Sequence, residues 1–117
     1  MSILIIEDDE GLGELVSRIA VKCGHKVHLM TTAKDALAWL AGNAPSLMLL
    51  DYMLPDMDAQ AFLTELTKRN IPLPPFIITS GQDDELVANE LMRKGAKAFI
   101  VKDRSFLERL PGAIGQA

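Results

Sequence analysis

Four groups of polar residues stand at the ends of apolar runs. Glu7-Asp8-Asp9 follows Ile3–Ile6, Asp51 follows Leu47–Leu50, Thr79-Ser80 follows Phe76–Ile78, and Lys102 follows Ala98–Val101. If the four ends meet, Glu7, Asp8 and Asp51 place three carboxylates within a few ångströms of one another. Two like charges about 5 Å apart repel by about 3 kcal/mol at an effective dielectric of about 20. Either some of the acids take up protons or a cation sits among them. A divalent cation with oxygen ligands is the economical answer, and Mg²⁺ suits a site of one or two carboxylates, waters and a phosphate. Lys102 supplies a compact positive charge for Asp51 or for a phosphoryl group on it. Ser80 supplies a hydroxyl that can donate to a phosphoryl oxygen. A carboxylate can act as nucleophile and form an aspartyl-phosphate. Such transfer needs mainly positioning and charge neutralisation, and an ionised Asp51 needs no general base.

The elements that must position these groups are legible in the apolar pattern. Five runs, Ile3–Ile6, Val27–Met30, Leu47–Leu50, Phe76–Ile78 and Ala98–Val101, are near-continuous, as in strands covered on both faces. Between them, Leu12, Leu15, Val16, Ile19 and Cys23 follow helical spacing up to Gly24. Ala33, Ala36, Leu37 and Leu40 do so after Thr32, a capping residue type, with Gly42 at the close. Phe62, Leu63 and Leu66 follow Asp58, and Leu86, Val87, Leu91 and Met92 follow Asp83, with Gly95 near the end. A last helix is expected from near Arg104, carrying Phe106, Leu107 and Leu110 and interrupted by Pro111 and Gly112. Strand and helix alternate five times, which implies a parallel sheet with helices on both faces. The flavodoxin-like strand order 2-1-3-4-5 makes strands 1, 3, 4 and 5 contiguous and leaves strand 2, which offers no charge at its end, at the edge.

The 117 residues fit one domain, 49% hydrophobic and 24% charged. The net charge of −4 and pI of about 5.1 argue against direct nucleic-acid binding. Nine of the 16 acids fall within residues 1–60, whereas six of the 12 bases fall within residues 93–109. That basic stretch reads first as a solvated face. The single Cys23 excludes an internal disulfide and suits a reducing compartment. The first apolar run has no cationic lead and meets acids at once, so no secretory signal is expected, and no run is long enough to span a membrane. A cytoplasmic protein is the expectation. Asp9 and Glu10 read as helix-start acids and Asp83-Asp84-Glu85 as a capped helix start. Cys23, His25 and His28 have metal-like chemistry but poor spacing, and read as structural. Helix-compatible sequence still running at Ala117 suggests a piece of a longer multidomain protein.

The stretch from Ile3 to Asp9 resembles the opening of a response-regulator receiver domain, and Leu49–Asp58 resembles its phosphoacceptor segment. Ile77-Ile78-Thr79-Ser80-Gly81 resembles the hydroxyl-bearing end of its fourth strand, and Gly95–Lys102 the segment ending in its lysine. Four motifs in order, over essentially the whole chain (residues 1–117), make the resemblance specific. It implies a phosphorylation-dependent switch in two-component signalling, with Asp51 as phosphoacceptor. Asp8 would be a direct ligand of Mg²⁺ together with Asp51, Glu7 would act through water, and the backbone carbonyl of Met53 would be a further ligand. Ser80, chosen over Thr79 for its separation from Lys102, would move toward the phosphoryl group. Phe99 would change rotamer with it, and Lys102 would pair with the phosphate. The donor would be a histidine kinase or histidine phosphotransfer protein. An output domain or partner would read the face of helix 4, strand 5 and helix 5, and pairing into a homodimer is open. The domain would catalyse only its own phosphoryl transfer and dephosphorylation.

Three positions depart from the family pattern. Asp103 follows the lysine where proline is usual, Ala59 replaces a glycine, and Phe99 replaces the common tyrosine. Residues 107–114 resemble the ends of receiver domains attached to sensor kinases with further domains. Two other functions remain open at this point. A receiver-like interaction module that no longer phosphorylates is motivated by Asp103. A Mg²⁺-dependent phosphohydrolase would need a second acid two residues after the nucleophile, where Met53 stands.

Overall fold

The computed structural model describes residues 1–117. The chain forms β1 (Ser2–Ile6), α1 (Glu10–Lys22), β2 (Lys26–Met30), α2 (Ala33–Leu40), β3 (Leu47–Asp51), α3 (Ala59–Lys68), β4 (Phe76–Ser80), α4 (Glu85–Arg93), β5 (Ala98–Val101) and α5 (Phe106–Gln116). All strand pairs are parallel, and the sheet order is β2-β1-β3-β4-β5, the expected flavodoxin-like arrangement.

Side chains alternate across the sheet and feed two separate cores. Leu4, Ile6, Met48, Leu50, Phe76 and Ile78 pack against α2, α3 and α4, with Leu37, Phe62, Leu66 and Leu91 as buried helix partners. Ile3, Ile5, Leu47, Leu49, Ile77 and Ile100 pack against α1 and α5 through Val16, Ala20, Phe106, Leu110 and Ile114. All five residues of β3 and all five of β4 are buried, so these two strands sit at the centre under cover on both faces. β2 departs from the expectation of full cover: its residues are half-buried or exposed because it is an edge strand.

Helix ends follow local chemistry. Asp9 caps α1, Thr32 caps α2 and Asp58 caps α3, each side chain accepting from a backbone N–H of the first turn. Asp84, not Asp83, caps α4, accepting from Leu86 N and Val87 N at 3.0 and 3.2 Å. Gly24 and Gly95 leave α1 and α4 at φ +91° and +110°, a backbone region that a Cβ disfavours. Asn70 takes the equivalent left-handed place after α3.

Two helices differ from the apolar pattern. On α1 the buried positions are Gly13, Val16 and Ala20, whereas Leu15 and Cys23 face solvent. A Cβ on Gly13 would meet the Leu29 side chain at 3.1 Å, so α1 lies close to β2 there, with Leu12 and Ile19 half-buried against the core and Leu15 turned outward. On α4 only Leu91 is buried, and Leu86 and Met92 are exposed. The interruption expected at Pro111 does not occur, since α5 runs on to Gln116. Pro111 withholds one N–H from the carbonyl four residues back, and burial of Phe106, Leu110 and Ile114 outweighs that loss.

Candidate phosphoacceptor site

Parallel strands deliver their carboxyl ends to one rim, and the pairing sets which side chains meet there. Asp51 pairs with Thr79, and Ser80 with Val101. Past the paired residues, Tyr52 N donates to Thr79 O at 2.8 Å and Lys102 N to Ser80 O at 2.7 Å. Ser80 continues the face of Ile78 and points toward α4, whereas Thr79 continues the opposite face.

One carboxylate oxygen of each of Glu7, Asp8 and Asp51 lies within 4.8 Å of the others. Glu7 and Asp51 are buried and Asp8 is exposed. Lys102 Nζ lies 2.6 Å from Glu7 Oε1 and 3.1 Å from Asp51 Oδ2. Glu7 Oε2 accepts from Asp9 N at 3.2 Å, and this ties the acid cluster to the start of α1. Buried carboxylates without partners are costly, and this lysine partners two of them.

The electrostatics follow from that crowding. Desolvation raises the Asp51 pKa most, hydrogen bonding and charge repulsion from Glu7 raise it further, and Lys102 lowers it. The balance takes it from 3.8 to about 7. Without a cation, burial and Glu7 thus hold the Asp51 carboxyl well above the usual carboxylate range. Burial alone would lower the Lys102 pKa, but its bonds and charge contacts with Glu7 and Asp51 raise it. Lys102 is accordingly a fixed positive charge.

Asp51 also opens onto a cavity of about 510 Å³ lined by Tyr52, Met53, Ser80, Gly81, Gln82, Asp84, Val87 and Lys102. Glu7 and Asp8 do not line this cavity, whereas Asp51 and Lys102 belong both to it and to the charged cluster. The Ser80 hydroxyl is engaged locally, donating to Gln82 O at 3.0 Å and accepting from Gln82 N at 3.1 Å. The Met53 side chain is exposed. The loop carrying it closes on itself, with Ala59 N donating to Tyr52 O at 2.7 Å and Leu54 N to Met57 O at 3.1 Å. Phe99 is half-buried against the core on the α2–α4 side and does not line the cavity.

The structure thus gathers Glu7, Asp8, Asp51 and Lys102 in one cluster and sets Ser80 and Met53 on the cavity beside it. Phe99 lies outside both. Several contributors were missed in the sequence. Tyr52, Gln82, Asp84 and Val87 line the cavity through loop geometry that no spacing rule reveals. Asp56 anchors the Met53 loop by accepting from Ala33 N at 3.0 Å and Lys34 N at 2.8 Å. Cys23, His25 and His28 form no metal cluster, and the His28 ring packs tilted at 38° against Trp39 with centroids 4.7 Å apart. No helix is long and apolar enough to cross a membrane.

The sequence pattern of the response regulator receiver domain matches residues 3–111. The chain is 33% identical over 116 residues to the methanogenesis regulatory protein FilR1 of Methanothrix harundinacea, covering 93% of this chain and 25% of that one. It is 36% identical over 101 residues to the response regulator protein FleR of Pseudomonas aeruginosa, covering 86% of this chain and 21% of that one. Among solved structures, NtrX from Brucella abortus matches with a TM-score of 0.85 at 31% identity, covering 99% of this chain and 26% of that one. The chain therefore spans about a quarter of the length of these proteins. Pattern, sequence relatives and fold agree, and the chain belongs to the response regulator receiver domain family.

Proposed function

We propose that Asp51 accepts a phosphoryl group from a histidine kinase or histidine phosphotransfer protein and that residues 1–117 act as one switch unit. The observation that carries this reading is the position of Lys102 Nζ, 3.1 Å from Asp51 Oδ2 beside a cluster of three acids. Three clustered carboxylates form a hard, all-oxygen donor set suited to Mg²⁺. Asp8 and Asp51 would hold the ion directly, Glu7 through water, and the Met53 carbonyl would complete the protein's share. When bound, the ion neutralises charge on the acids and on the phosphoryl oxygens.

The chain's own groups carry the transfer. An Asp51 carboxylate oxygen attacks phosphorus, the new O–P bond forms, and the P–N bond of the donor phosphohistidine breaks with departure of its imidazole. Lys102 neutralises a phosphoryl oxygen. Ser80 leaves Gln82 and donates its hydroxyl to another. Phe99 follows Ser80 inward, and the α4–β5–α5 face changes for an output domain or partner. The domain turns over no separate substrate, only its own acyl phosphate, and works in the cytoplasm.

The test is incubation with acetyl phosphate and Mg²⁺ followed by intact mass measurement. Wild type gains one phosphoryl group and Asp51→Asn gains none. A gain that survives Asp51→Asn would refute the assignment.

A further inference from the structure

Lys102 is the residue whose placement the proposed transfer depends on most, and an unusual arrangement holds it. Its neighbours in sequence are joined by a tight turn, with Asp103 N donating to Val101 O at 2.9 Å across Lys102. Arg109 reaches back from α5 and closes the same turn. Its Nη2 donates to Val101 O at 2.9 Å and to Asp103 Oδ1 at 2.9 Å. That carboxylate oxygen also accepts from Ser105 N and Ser105 Oγ, both at 3.0 Å. The residue before Lys102 and the residue after it are thus bound by one guanidinium, while the Lys102 N–H is bound to β4 through Ser80 O.

The charges agree with the geometry. Desolvation would raise the Asp103 pKa, but hydrogen bonds from Ser105 and Arg109 and the Arg109 charge hold it below the usual carboxylate value. Asp103 stands where the family pattern has proline. Proline constrains a loop through its ring, whereas here the side chains at 103 and 109 do so by a charge-assisted bond.

We propose that Arg109 and Asp103 form a clasp that positions Lys102 for phosphoryl uptake at Asp51. The clasp rests on the reading of Asp51 as phosphoacceptor. It acts through Lys102 and touches no reacting atom, so it belongs to positioning. Lysine carries a long flexible side chain, and a turn free to shift would spread its ammonium over many positions. Misplacement by about 1 Å can cost about a hundredfold in rate.

The experiment measures phosphorylation rate with acetyl phosphate and Mg²⁺ for wild type, Arg109→Ala, Asp103→Ala, the double variant and Asp103→Asn. Arg104→Ala, an exposed arginine in the same loop, is the control. Mg²⁺ affinity by calorimetry and thermal midpoint are measured on each. Both alanine variants should lose about tenfold or more in rate. The double variant should be no slower than either, because the two residues form one interaction. Asp103→Asn, which keeps the acceptor oxygen and loses the charge, should fall between, and Arg104→Ala should match wild type.

Mg²⁺ affinity should hold in every case, since Lys102 is no metal ligand, and any small fall in thermal midpoint should not track the loss of rate. Variants as fast as wild type overturn the clasp and leave the Asp51 reading standing. Slowing matched by parallel loss of Mg²⁺ affinity and midpoint overturns positioning in favour of a general structural role. A wild type that takes up no phosphoryl group overturns both.

Discussion

Lys102 makes contact with two buried carboxylates, and each would repel the other without it. The remaining imbalance appears as the raised pKa of Asp51, whose neutral form is favoured by desolvation and by Glu7. A folded-state pKa of about 7 against an ordinary 3.8 has a definite sign in stability. The folded state binds the proton more tightly than the unfolded chain does. The contribution is therefore fully present below about 3.8 and is lost as pH rises through about 7. Thermal melts in EDTA should show the wild-type midpoint falling relative to that of Asp51→Asn across that window, because the variant lacks that part of the dependence. A wild-type midpoint that rises from pH 4 to 7 by as much as that of Asp51→Asn would contradict the electrostatics described. Little of this residue-scale balance can be read from sequence. The acids are visible as letters, but the depth at which Asp51 and Glu7 are buried depends on strands that are distant in the chain.

At the scale of elements, the β3–α3 loop and the start of α2 form one unit. Asp56 sits in that loop, yet its carboxylate binds two N–H groups of the first turn of α2, adding to the Thr32 cap. Removing a side-chain cap costs about 1 kcal/mol. Asp56→Ala should lower global stability by about that amount and speed amide exchange at Ala33 and Lys34, as measured by denaturant unfolding and hydrogen exchange. Exchange unchanged at those two amides would show that the cap is idle.

Strands were the more legible elements, because their apolar runs stop where polar residues begin. Helix faces were less so. Leu15 has the right spacing for the core, but α1 turns Gly13, Val16 and Ala20 inward, with Gly13 against Leu29 of β2, and Leu15 is left to solvent. Pro111 looked like a stop, and only the depth of Leu110 and Ile114 shows why α5 continues through it. Arg109 and Asp103 lie six residues apart across a turn, a separation that no helical rule flags.

Across the whole molecule, five strands bury two cores and leave one rim for the polar groups. The sheet order and the strands carrying Glu7, Asp8, Asp51, Ser80 and Lys102 were legible in the sequence because each motif ends an apolar run. The cavity was not, because loops form it. A cation that binds this rim only in the folded state must stabilise the molecule by mass action. Adding Mg²⁺ at about a hundred times its dissociation constant should contribute about 2.7 kcal/mol to unfolding stability. EDTA should reverse the gain, and Asp8→Ala should abolish most of it, as followed by chemical denaturation.

The opposite rim carries none of this chemistry. Loops at Ala41–Ala44 and Pro72–Leu73 are exposed and open onto the starts of β3 and β4. A five-residue strand, roughly 16 Å, separates them from the acids. The molecule is polarised end to end: one pole gathers the acids, and the other, where α1, α3 and α4 end beside Lys22, Arg69 and Lys94, has exposed loops where the backbone could be lengthened without disturbing a reacting atom.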